Sequence, residues 1–167
     1  MDNLLWTAAF SLPLLALLYF EKGARKKHVL LGFFTLLFAL PFEVLSVAAG
    51  LWTYATTPQV FSVSLFTLLA YFPWIIYSYW SGNALASHLR VDGWRRYLLC
   101  GLFGSLYAGF LFDPVSVKLG YYTFHSQPQI FGVPWVVIAT EALCVAFVVF
   151  LFEKIWNKFL GNPPAPV

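Results

Sequence analysis

Two acidic residues lie in strongly apolar surroundings at matching distances from a glycine: Glu43 is seven residues before Gly50, and Asp113 is seven before Gly120. At a rise of about 1.5 Å per residue, each carboxyl sits roughly 10 Å below the end of its helix. A third acid, Glu141, follows Gly132 by nine residues, or roughly 13 Å along a helix running the opposite way. Tyr71 holds the corresponding place in the first half of the chain. Three acids from three helices thus converge on one layer. A carboxylate in lipid costs roughly 2.5–3.5 kcal/mol on insertion scales. Like charges at one dry layer then favour at least one neutral acid at neutral pH.

A neutral carboxylic acid in a dry pocket is a general acid suited to a weak base. One weak base that partitions into membranes is an isoprenoid double bond, which becomes a tertiary carbocation on protonation. Aromatic faces stabilise a cation without trapping it. Trp52, Tyr54, Tyr71, Trp74, Tyr121 and Tyr122 fall near the acid layer or in the loops above it, and His125 falls in the second loop, where it either relays protons or packs at the interface. The alternative is that the acids bond to Tyr, Ser or Thr and hold the helices together.

No metal and no cofactor are expected. The chain has no acid-rich diphosphate motif, no Cys/His zinc spacing, no His cluster for a di-iron centre and no dinucleotide glycine motif. Cys100 and Cys144 fall inside apolar runs and read as small buried hydrophobes. His28 and His88 read as solvated or interfacial loop residues.

The elements that must carry these residues follow from composition. Of the 167 residues, 60% are hydrophobic and only 10% charged, against about 25% charged in soluble domains. A chain this short cannot bury so much apolar surface from water, so lipid must take part of it. Five apolar stretches, at 3–20, 29–49, 60–80, 97–117 and 133–152, have the length of transmembrane helices. The expected fold is all-α: a single multi-pass membrane domain over 1–167, with an extra helix at 3–20, one repeat at 29–80, a second at 97–152 and a short Pro-rich tail at 159–167. Lys and Arg collect at 21–28, at 81–96 and after 152, which are therefore cytoplasmic. The N-terminus and the loops at 50–59 and 120–132 are then outside, in the cell membrane's outer half. The clustered positive charge is a topology signal, with no nucleic-acid partner implied.

An internal repeat supports this division. From Phe42 and from Phe112, thirty positions align without a gap. Ser46 meets Ser116, Gly50 Gly120, Thr53 Thr123, Pro58 Pro128, Gln59 Gln129 and Phe61 Phe131, with Glu43 opposite Asp113. Apolar composition does not readily align Gly, Thr, Pro-Gln and acids. Both units start with an outward-running helix, so they are expected to be parallel helix–lid–helix repeats about an axis along the membrane normal.

The residues Glu43, Gly50, Trp52, Tyr54, Asp113, Pro114, Gly120, Tyr122 and the Gly132-Val133-Pro134 turn give a pattern that resembles the carotenoid-biosynthesis membrane family, which includes carotenoid hydratases. Membrane lycopene and terpene cyclases look similar more distantly. The resemblance covers roughly 42–141 and rests chiefly on its second half. It implies cofactor-free hydration, cyclisation or isomerisation of a carotenoid or other polyisoprenoid lipid. Those proteins have more helices, which implies a homo-oligomer or a partner membrane subunit here. Where the second unit has Gly132-Val133-Pro134, the first has Ser62-Val63-Ser64. A small membrane transporter or lipid-binding protein, whose acids carry protons or bind a cation, is the competing expectation. The apolar cytoplasmic halves of the helices, Val29–Leu40 for example, offer it almost no polar path.

Overall fold

The computed structural model describes Ser11 and residues 25–160. Apart from Ser11, the expected N-terminal helix lies outside the described residues, as does the end of the Pro-rich tail. The described chain is mostly helical: α1 (Arg25–Ala48), α2 (Leu65–Leu89), α3 (Trp94–Tyr107), α4 (Asp113–Lys118) and α5 (Trp135–Ile155). A π-helical turn, Ala108–Phe112, joins α3 to α4, and a second, Trp156–Leu160, follows α5. Among the described residues, three helical stretches are long and apolar enough to cross a membrane: Arg25–Ala48, Trp94–Lys118 and Trp135–Phe159. These suit the protein to membrane insertion. The 25-residue α2 is equally long but carries Tyr71, Trp74, Tyr77, Tyr79, Trp80 and several serines. Much of that polar and aromatic surface is turned inward, where Trp74, Ile75, Ile76, Ser78 and Tyr79 are buried.

The boundaries correct the sequence expectation in two places. The third apolar stretch predicts a helix at 60–80, with a loop over 81–96. The helix instead runs from Leu65 to Leu89, and only residues 90–93 connect it to α3. Ser81, Gly82 and Asn83 read as loop residues in sequence. In the fold, Gly82 provides close approach, since a Cβ there would lie 2.5 Å from the Cys100 backbone. Gly101 does the same for α3 and α5, where a Cβ would run into the Ala142 carbonyl. Small residues that let backbones approach are the usual device of helix pairs in lipid. Second, the basic stretch before residue 29 is already helical from Arg25. His28 is buried there, edge-on to the Tyr79 ring at 5.6 Å, rather than solvated in a loop.

That end of the bundle is organised by a residue the sequence did not single out. Glu153 of α5 is 4% exposed. It accepts bonds from Lys27 Nζ at 3.0 Å, Tyr79 OH at 2.7 Å and Tyr97 OH at 3.3 Å, and pairs with Arg96. One carboxylate therefore ties α1, α2, α3 and α5 together. Above it, Leu31, Ile75, Ile76, Cys100, Val145 and Val149 form the apolar core.

At the other end, α1 and α4 stop in the same way. Leu51 N–H bonds to Ser46 O and Gly50 N–H to Val47 O, while Tyr121 N–H bonds to Ser116 O and Gly120 N–H to Val117 O. Gly50 and Gly120 have φ of +71° and +73°. This left-handed glycine is the common way to satisfy the last carbonyls of a helix. Short strands follow, a departure from an all-α reading: β1 (Trp52–Tyr54), β2 (Gln59–Val60), β3 (Val63–Ser64), then β4 (Tyr122–Phe124), β5 (Gln129–Ile130) and β6 (Val133–Pro134). β2 pairs with β3 and β5 with β6, but β1 pairs antiparallel with β4, so the two lids are joined rung to rung.

Candidate functional site

Glu43 lies near the lid end of α1 and is 3% exposed. Three groups donate to its carboxyl: Trp52 Nε1 at 3.0 Å and Tyr54 OH at 2.6 Å, both to Oε2, and Tyr71 OH to Oε1. The lid supplies two of these donors, because alternation along β1 turns Trp52 and Tyr54 to the same side. The Gln59 amide donates to Tyr54 O at 3.0 Å and braces the strand from behind. Gln129 does the same in the second lid, to Phe124 O and Ser126 O. The paired Pro-Gln positions of the sequence thus stiffen the lids.

Asp113 reaches its place through a change of helical register. Its N–H bonds to Ala108 O, five residues back, and Pro114, which has no N–H to give, follows in the first turn of α4. Single π-turns of this kind are frequent where a helix must re-aim a functional side chain. Tyr122 OH of β4 donates to Asp113 Oδ1, the counterpart of Tyr54 and Glu43. Burial, and then the neighbouring carboxyl, push the Tyr54 and Tyr122 phenols well above their usual range. Both lid phenols therefore remain donors.

Glu141 on α5 bonds to the Asp113 side chain, while its Oε2 is buried with no partner. All three acids line one chamber of about 50 Å³, room for a few waters. Its walls are chiefly rings: Phe42, Trp52, Tyr54, Tyr71, Trp74, Phe112, Tyr122 and Phe124. Trp74 is fixed by its Nε1 bond to Gly104 O at 2.7 Å. Of the residues expected at the site, Glu43, Asp113, Glu141, Trp52, Tyr54, Tyr71, Trp74 and Tyr122 are brought together.

Two are not. Tyr121 packs against the lid cluster of Trp52, Tyr122, Phe124 and Val133 and is not among the chamber walls. His125 is exposed and contacts Thr53 Oγ1 at 3.2 Å across the lid ladder, outside the chamber walls. The chamber also includes Phe42, Phe112 and Phe124, which sequence reasoning did not single out as site residues. The Phe42–Phe112 match in the repeat was the available signal for the first two. Among the described residues no cluster of His, Cys, Asp and Glu has a metal-binding arrangement.

Comparison of the chain with protein-family models, curated proteins and solved structures finds no match.

Proposed function

We propose that the protein is a membrane enzyme of isoprenoid metabolism that protonates a polyene double bond, as in hydration, cyclisation or isomerisation of a carotenoid or related polyprene. The observation that carries this reading is the ring-walled chamber that brings three carboxyl groups together. In the step envisaged, the O–H bond of one acid breaks and a C–H bond forms at the less substituted alkene carbon. The π pair is consumed, leaving a tertiary cation beside a carboxylate, with the ring faces stabilising the cation. Either water adds and its proton returns to the carboxylate, or a neighbouring C–H gives up its proton. Both routes regenerate the acid, and no electrons are exchanged with a cofactor. The resemblance to carotenoid hydratases points to the same class.

The direct test is turnover in heavy water. With an acyclic carotenoid in vesicles, the product should carry deuterium at the carbon next to the new cationic centre, because the acid exchanges with solvent. Product without solvent-derived hydrogen, or no conversion of any acyclic polyprene, would overturn the reading.

We further infer five spans in two parallel, duplicated helix–lid–helix units plus an N-terminal helix, with lids outside and the C-terminus cytoplasmic. The lids recur seventy residues apart strand for strand. A single cysteine at Asp92, between α2 and α3, should react with an impermeant reagent only from the cytoplasmic side, and one at Thr57 only from outside. Labelling of both from the same side would refute this orientation.

A further inference from the structure

Behind the acid chamber lies a larger cavity, of about 240 Å³, between α1, α2 and α5. The two spaces share Phe42, Tyr71, Trp74 and Glu141 as common walls. The rest of the second lining is apolar or nearly so, including Phe38, Cys144 and Phe147. Two facts give this cavity a direction. Phe38 on α1 and Phe147 on α5 meet edge to face at 6.3 Å, yet are 36% and 54% exposed, so they stand on the outer, lipid-facing side of the helix pair. At the inner end, Glu141 lines the cavity, and its Oε2 is a buried oxygen without a hydrogen-bond partner. Glu43 has donors on both oxygens, and Asp113 is engaged by Tyr122 and Glu141. Trp52, Tyr54, Tyr122 and Phe124 of the lids form the upper wall of the chamber, while the apolar route runs sideways from the cavity between α1, α2 and α5.

We propose that a polyisoprenoid end group passes from the bilayer between α1 and α5 at Phe38 and Phe147, and comes to rest with its terminal double bond against the free oxygen of Glu141. This rests on the reading of the chamber as a polyene-protonating site. It assigns Glu141 to contact with the substrate, and Glu43 and Asp113 to the ring-walled space beyond it. An apolar chain with one reactive end suits a passage that is greasy along its length and polar only at its tip.

The test is photo-crosslinking in vesicles of the full-length protein, with an acyclic polyprene carrying a diazirine near one end. Adducts are expected on Phe38, Cys144 or Phe147, competed by unlabelled polyprene and not by a saturated hydrocarbon of equal length. Cys144→Phe narrows the passage and should cut labelling about tenfold, a loss of roughly 1.4 kcal/mol in binding. Phe147→Ala, at an exposed position that leaves the core intact, should keep or raise labelling. Adducts confined to other helices would overturn the proposal. So would equal competition by the saturated chain, labelling that needs removal of residues 1–24, or labelling that disappears when copies of the chain associate. The last two would mean that the N-terminal segment or a second copy fills the cavity. Competed adducts on α1 and α5 without any chemical change would leave the passage standing and refute the enzymatic reading. Turnover without such adducts would do the reverse.

Discussion

Glu43→Gln and Asp113→Asn should each lower conversion of an acyclic polyprene by about 10²–10⁴, the usual worth of a positioned acid or base. The folded state should survive both changes. In Glu43→Gln the new amide carbonyl can take the place of Oε2 and keep the bonds from Trp52 and Tyr54. The amide nitrogen would then face Tyr71, whose hydroxyl can turn to accept. In Asp113→Asn the side-chain carbonyl can still accept from Tyr122. The double variant should lose far less than the product of the single losses, because groups acting as a unit are not additive. Tyr71→Phe removes one of three donors to Glu43 and should be milder. Initial rates in vesicles, with protein amount normalised by size-exclusion recovery, decide the matter. Full activity in both amide variants would make the carboxyls structural.

The second large effect is expected on stability, at the opposite end of the bundle. Glu153→Ala removes the one carboxylate that Lys27 and Arg96 share, together with the acceptor of Tyr79. Breaking a buried pair costs about 3–5 kcal/mol. The low end, about 3 kcal/mol, applies because the two cations are 23% and 28% exposed and can turn to water or headgroups. Thermal unfolding in detergent should show the loss. Combining Arg96→Gln with Glu153→Gln should cost clearly less than the sum of the single variants, since the partners are coupled. Additive losses would mean that the pair contributes nothing.

These two ends of the molecule were not equally legible in the sequence. The chamber acids could be read because each is a lone charge inside an apolar run, where lipid makes a carboxylate expensive. Their distance from Gly50, Gly120 and Gly132 then fixed a common level along the helices. Glu153 gave no such signal. It stands beside Lys154 at the end of an apolar run, where charges are ordinary. Its partners, Lys27 and Arg96, are 126 and 57 residues away and resemble solvated loop cations. The same ambiguity hid the last turns of α2. Ser81-Gly82-Asn83 has the polarity of a loop, and the close approach of Gly82 to Cys100 accounts for its place inside a helix. The lid strands were illegible for another reason. Each is two or three residues long, too short for alternation to show, and β1 finds its partner only across the molecule, in β4. That pairing decides that Tyr122 faces the acids while Tyr121 and His125 do not.

The β1–β4 ladder also limits how the chamber can open. The strand that carries Trp52 and Tyr54 to Glu43 is matched, Trp52 to Phe124, Thr53 to Thr123 and Tyr54 to Tyr122, with the strand that carries Tyr122 to Asp113. Two further backbone bonds, Ala55 N–H to Tyr121 O and His125 N–H to Leu51 O, extend the match at both ends. Neither flap can lift alone without unzipping this seam. The two covers therefore behave as one door with a single latch. A movement of the β1 backbone that draws Tyr54 from Glu43 also pulls on the strand that holds Tyr122 to Asp113.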